Sequence, residues 1–205
     1  MARNIPRLSR KKPARSFTKQ IHIYTEGSVT EEEYINNLKK TILSGATSHH
    51  KFSIRVKNSN KKTSPKNIQK SIRNDVRNFE EKQYHEIWVL IDEDNWPQED
   101  IDNLKHDTFI KNKVQTFRVL ISSPKFELWL LLHFENGIKI SNSADVDRRL
   151  KPYITDYNKH CSQNLFNLSN VRLAIANAKK LIQNKSNAYT EAYILFEHLL
   201  SLQPL

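Results

Sequence analysis

The chain has 205 residues, 38% hydrophobic and 27% charged, with only 3 Gly and 7 Pro, which fits one α/β domain with an extension rather than a low-complexity chain. Its formal charge of +11 and pI near 9.7 point to an acidic partner such as nucleic acid. No run of about 18 apolar residues exists, which excludes a membrane-spanning helix, and Cys161, the sole cysteine, excludes an intrachain disulfide framework and fits a reducing cytoplasm.

Seven positive charges, Arg3, Arg7, Arg10, Lys11, Lys12, Arg15 and Lys19, precede the first acid, Glu26. No apolar h-region follows them, so no secretory signal is expected. With Pro6, Pro13 and no helical period, residues 1–18 read as a flexible basic arm able to track phosphates, or as a solubilising tail.

Residues 20–24 alternate as a strand that stops at Glu26-Gly27. Thr30 and Glu33 are spaced as a capping box for a helix that carries Tyr34, Leu38 and Ile42 inward and ends at Gly45. Residues 52–56 form a second strand, and Ser64-Pro65 opens a helix with Ile68, Ile72, Val76 and Phe79 on one face. The apolar run 87–91 is a central parallel strand covered on both sides. It ends at Asp92-Glu93-Asp94. A third helix is expected over 99–110, a fourth strand over 116–121 closed by Ser122-Ser123-Pro124, and further helices over 126–134, 145–150, 169–184 and 190–202.

This βαβαβαβ order predicts an α/β fold, a Rossmann-like, mainly parallel four-stranded sheet flanked by helices over residues 19–135, with a helical extension, residues 136–205, packed on the core or on a partner. Ligands of such sheets bind outside the carboxyl ends of the strands. Glu26 ends strand one, Asp92 and Asp94 end strand three, and the Ser122-Ser123-Pro124 turn ends strand four, so residues distant in sequence meet at one edge. Asp92 and Asp94, two apart in extended chain, project to the same side. Two like charges about 4 Å apart repel by roughly 4 kcal/mol at an effective dielectric near 20. A hard cation relieves that, and Mg²⁺, with Mn²⁺ as an alternative, suits carboxylate oxygens plus substrate phosphate. Hydrolysis or transfer at phosphorus is the reaction class that follows. The plainer reading is a solvated turn or a helix N-terminal acid cluster.

Residues 23–34, with Glu26-Gly27, Thr30-Glu31 and Tyr34, resemble the Glu-Gly-x-x-Thr-Glu-x-x-Tyr motif of the RloB family. Ile91-Asp92-Glu93-Asp94 is similar to that family's acidic strand end. Residues 122–134, Ser-Ser-Pro-Lys-Phe-Glu-Leu-Trp-Leu-Leu-Leu-His-Phe, resemble its Ser-Asn-Pro-x-Phe-Glu-Leu-Trp-Leu-Leu-Leu-His-Phe block, departing at Ser123 and at Lys125. The resemblance implies a Toprim-related domain in which Glu26, Asp92 and Asp94 are the metal-binding and catalytic acids of nucleic-acid cutting or joining. It also implies phage defence by abortive infection beside an ABC/AAA-like ATPase partner, and leaves room for a homo-oligomer.

Secondary candidates carry their own alternatives. Glu31 is a further metal ligand or a capping acid. Gly27 shapes the turn, and Glu127 can point back to the site, whereas His133 reads better as a core histidine. Lys125 contacts a scissile phosphate or is solvated. Lys57, Lys61, Lys62, Lys66, Lys70, Arg73 and Arg77 form a basic loop and helix face. If half of these and part of the arm touched phosphates, affinity would fall roughly 10³-fold between 50 and 200 mM salt. Tyr153, Tyr157 and Phe166 stack on unpaired bases or pack in the core. The expected function is a metal-dependent nuclease effector, RNA or tRNA favoured over DNA, under ATPase control. Its rival is a non-catalytic binding or sensor subunit. A primase or topoisomerase-like enzyme is disfavoured by the short chain.

Overall fold

A computed structural model describes residues 19–27, 29–44, 52–58, 64–93, 96–136, 139–154 and 167–202. The basic arm, Asp94, Lys61, Lys62, Tyr157 and Phe166 lie outside the described residues.

The elements in chain order are β1 (Lys19–Thr25), α1 (Thr30–Ser44), β2 (Phe52–Asn58), α2 (Pro65–Val76), β3 (Tyr84–Asp92), α3 (Gln98–Lys105), α4 (Thr108–Lys111), β4 (Thr116–Ser123), α5 (Glu127–Leu131), α6 (Ser143–Leu150), α7 (Leu168–Gln183), β5 (Tyr189–Thr190) and α8 (Ala192–Ser201). The sheet runs β2-β1-β3-β4-β5. Its first four strands are mutually parallel, and β5 pairs antiparallel with β4 through Ser122↔Thr190 and Ser123↔Tyr189. The α/β class and the mainly parallel sheet stand as expected. The expected strand number is corrected, because a fifth, two-residue strand makes the sheet mixed.

The two-residue side-chain period of the strands sorts the core into two layers. Ile21, Ile23, Trp88, Leu90 and Leu120 face α1 and the helices α5 to α8, which together build one hydrophobic cluster. Tyr24, Ile87, Val89, Ile91 and Val119 face α2, Leu104 of α3 and Ile110 of α4. That both faces are covered explains why residues 87–91 are apolar without alternation. No helix among the described residues is long and apolar enough to cross a membrane.

Local boundaries have local causes. Ser64 caps α2, its hydroxyl accepting from the Asn67 amide, with Pro65 at the first helical position. In α1 the Glu33 amide donates to the Val29 carbonyl at 2.9 Å, so the helix starts one residue ahead of the capping box and Thr30 is already inside it. The helix expected over 99–110 is two helices. Asp107 breaks it, capping α4 by accepting from the Ile110 amide while Arg73 and Gln69 of α2 donate to its other oxygen. The helix expected over 126–134 is regular only over α5.

Candidate functional site

Strand order reverses beside β1: the chain leaves it for β2 on one side and returns for β3 on the other. The crevice at such a switch point opens at the carboxyl ends of the two flanking strands. Here those ends carry Glu26, just past β1, and Asp92, the last residue of β3.

The two acids are joined. The Asp92 amide donates to Glu26 Oε2 at 3.0 Å, and the indole Nε1 of Trp96 donates to Glu26 Oε1 at 2.8 Å. Asp92 Oδ1 in turn accepts from the Phe126 amide at 2.8 Å, from the turn that follows β4 and the cis Ser123-Pro124 bond. Glu31, in the first turn of α1 and buried, reaches back so that its Oε1 accepts from the Gly27 amide at 3.0 Å.

The electrostatics are one-sided. Burial, then the charges of Glu31, Glu26 and Glu127, push the Asp92 carboxyl up to about 9, against the lowering bond from Phe126. Burial and the charges of Glu127 and Glu26 likewise raise Glu31 to about 7. Four carboxylates from β1, α1, β3 and α5 therefore repel through one small region, the condition that protons or a cation relieve. As they stand, the oxygens of Glu26, Asp92 and Glu31 answer separate N–H donors, and among the described residues no three His, Cys, Asp or Glu side chains gather as a metal-holding group. The donor chemistry, all carboxylate oxygen, nevertheless suits Mg²⁺ or Mn²⁺.

Gly27 makes room for the Glu31 carboxylate. A Cβ there would lie 1.9 Å from Glu31 Oε2, so a side chain shifts that carboxylate from its part-buried bond to the Gly27 amide. In metal-free Gly27→Ala, Glu31 is expected to titrate back toward its ordinary value of 4.5. Carboxyl carbon NMR across pH checks this, and a value still near 7 would refute the steric argument.

The remaining candidates are distributed otherwise. His133 is 3% exposed in the core, accepting from the Tyr34 hydroxyl at 2.9 Å and donating from Nδ1 to the Trp129 carbonyl. It thereby ties α1 to the end of α5, behind the acids. Lys125 pairs through its Nζ with Asp147 of α6 at 2.7 Å. Ser123 lies at the end of β4, its hydroxyl 3.5 Å from the Asn187 carbonyl. On the basic face, Lys66 pairs with Asp100, Arg73 with Asp107 and Lys57 with Asp75. Ion pairs of this kind fasten α2 to its neighbours, and because Lys66 and Arg73 are already paired, fewer charges on this face are free to neutralise phosphates. Tyr153 stacks flat on Phe134, with centroids 4.6 Å apart.

Three participants have no place in the sequence expectations. Trp96 and the Phe126 amide touch Glu26 and Asp92 directly, and the Tyr189 hydroxyl lies 3.4 Å from Glu93 Oε1. An aromatic residue two positions beyond Asp94, and followed by Pro97, was the one available signal for Trp96.

No curated protein and no solved structure matches the chain. A family model described as RloB-like protein matches residues 21–199, a span that runs from β1 into α8 and takes in Glu26, Glu31, Asp92, Phe126 and Glu127. The chain therefore belongs to the RloB-like protein family.

Proposed function

We propose that this protein is a Toprim-like, metal-dependent nuclease effector that acts on nucleic-acid phosphodiesters, RNA and tRNA before DNA, in phage defence by abortive infection under the control of an ATPase partner. The observation that carries the reading is the meeting of Glu26 and Asp92 at the switch point, with Glu31 and Glu127 adding to the same negative field. Family membership and the basic composition support it.

In this reading Asp92, Asp94 and Glu26 hold Mg²⁺ or Mn²⁺, with Glu31 as a further ligand. The ion, when bound, stabilises charge on a phosphodiester and lowers the pKa of a bound water. The chain's own groups do the positioning. The Phe126 amide and the Trp96 indole orient the two acids, and burial of Glu31 places a carboxyl able to take or give a proton near neutral pH beside them.

The test is incubation of purified protein with total tRNA, single-stranded RNA and duplex DNA, with and without Mn²⁺, beside Glu26→Ala. Cleavage confined to RNA, dependent on Mn²⁺ and lost by roughly 10²-fold or more in the variant is expected. Full cleavage by a folded Glu26→Ala protein would end the assignment. A second reading, a non-catalytic binding or sensor subunit of an ATPase complex, is favoured by the separate N–H partners of the acids, because protons on Asp92 and Glu31 also relieve the repulsion. Calorimetry that detects no Mn²⁺ or Mg²⁺ binding would select it.

A further inference from the structure

We propose that Trp96 is a positioning residue: its indole N–H fixes the Glu26 carboxylate in the orientation in which it binds a divalent cation. This deepens the metal-dependent reading and rests on it. The Glu26 side chain leaves the chain at a turn and by itself would sample several rotamers. It is held at both oxygens, Oε2 by the Asp92 amide at 3.0 Å and Oε1 by Trp96 Nε1 at 2.8 Å. A carboxylate offers about four acceptor sites, and N–H donors on both oxygens set its plane.

The donor's chemistry fits the task. An indole N–H is neutral and only donates, so it orients the acid without bringing a positive charge that competes with a cation, as a lysine or arginine would. Its ring is anchored, half-buried against the cluster built by α2, α3 and α4, and Pro97 follows as the residue that opens α3. The indole thus ties the chain four residues beyond Asp92 back to the acid of β1. The other two tryptophans are placed for other work. Trp88 donates to Glu86 at 3.1 Å, and Trp129 is fully buried in the core.

Trp96→Phe keeps the ring and removes the donor, whereas Trp96→Ala removes both. Mn²⁺ binding is measured by calorimetry on the unaltered full chain and on both variants, with circular dichroism to verify folding. Both variants are expected to bind Mn²⁺ more weakly by about 10- to 100-fold, the usual loss for a partner that orients a ligand, and Mn²⁺ is expected to quench tryptophan emission in the unaltered protein far more than in Trp96→Phe. If Trp96→Phe binds as tightly as the unaltered protein, the positioning role is overturned while the metal reading stands. If the unaltered protein binds no Mn²⁺, the metal reading falls and takes this role with it. Should Trp96→Ala fail to fold, Trp96→Phe decides alone.

Discussion

Asp92→Asn is expected to make the metal-free protein more heat-stable at pH 8 while removing the metal-dependent cleavage proposed above. The Asp92 carboxyl is raised from 3.8 to about 9 by burial and by Glu31, Glu26 and Glu127. Between those values the folded chain holds a proton that the unfolded chain has released. Stability is therefore fully present below about pH 4 and is lost as pH rises through 9. Asparagine takes no part in that titration, keeps an oxygen for the Phe126 amide, and is neutral beside its neighbours without having to bind a proton on folding. Each kcal/mol recovered moves the melting temperature of a domain this size by about 2–4 °C. Melting in chelator at pH 5 and pH 8 should therefore show a gain of at least that size at the higher pH and little at the lower. A shallower fall should remain in the variant, because Glu31, raised to about 7, still loses its proton over part of the range. Cleavage should drop by more than the roughly 10- to 100-fold typical of an orienting partner, since in the proposed reading a ligand itself is lost. A variant less stable than the parent at pH 8 would show that the carboxyl is not under repulsive load.

Such a joint gain and loss would mark a site kept strained for use, and the sequence reveals its parts unevenly. The four parallel strands are legible because burial on two faces imposes apolar runs and burial on one imposes alternation. Glu26 and Asp92 are legible because parallel strands deliver their carboxyl ends to one edge. What decides the finer arrangement is turn geometry, which periodicity does not encode. Trp96 reaches Glu26 through a loop, and the amide that holds Asp92 comes from the turn after Pro124. Thr190 misleads for a definite reason. It stands where a helix cap stands, and its hydroxyl does accept from the Ala192 amide at 3.2 Å, yet its backbone pairs with Ser122 as part of β5. Asp107 misleads likewise, as a polar residue inside one amphipathic run that turns out to end one helix and cap the next.

The opposite end of β3 separates stability from chemistry. Glu86 is 2% exposed, and Lys19 Nζ donates to its Oε1 at 2.7 Å while His198 Nε2 and Trp88 Nε1 donate to Oε2 at 2.8 and 3.1 Å. Burial alone would raise this acid, but the bonds from His198, Lys19 and Trp88 outweigh it and hold the carboxyl down to about 2. Its contribution to stability is therefore present above 4.5 and lost as pH falls through 2, the reverse of Asp92. Glu86→Ala strands a partly buried ammonium and an indole N–H, and it removes the bond from His198 of α8 to the sheet. Removing one partner of a buried pair costs about 3–5 kcal/mol. Lys19 and His198 retain 26% and 25% exposure, so water offsets part of this, and the low end, about 3 kcal/mol, is expected. That corresponds to a fall of roughly 6–12 °C in melting temperature at pH 7. Six residue steps along the strand separate Glu86 from Asp92, about 20 Å. Well below its melting point Glu86→Ala should consequently bind Mn²⁺ as the parent does, and calorimetry at 15 °C beside a melting curve measures both. A variant that melts like the parent would mean that Glu86 carries no such load, and one that folds but loses Mn²⁺ would mean that the two ends of β3 are coupled.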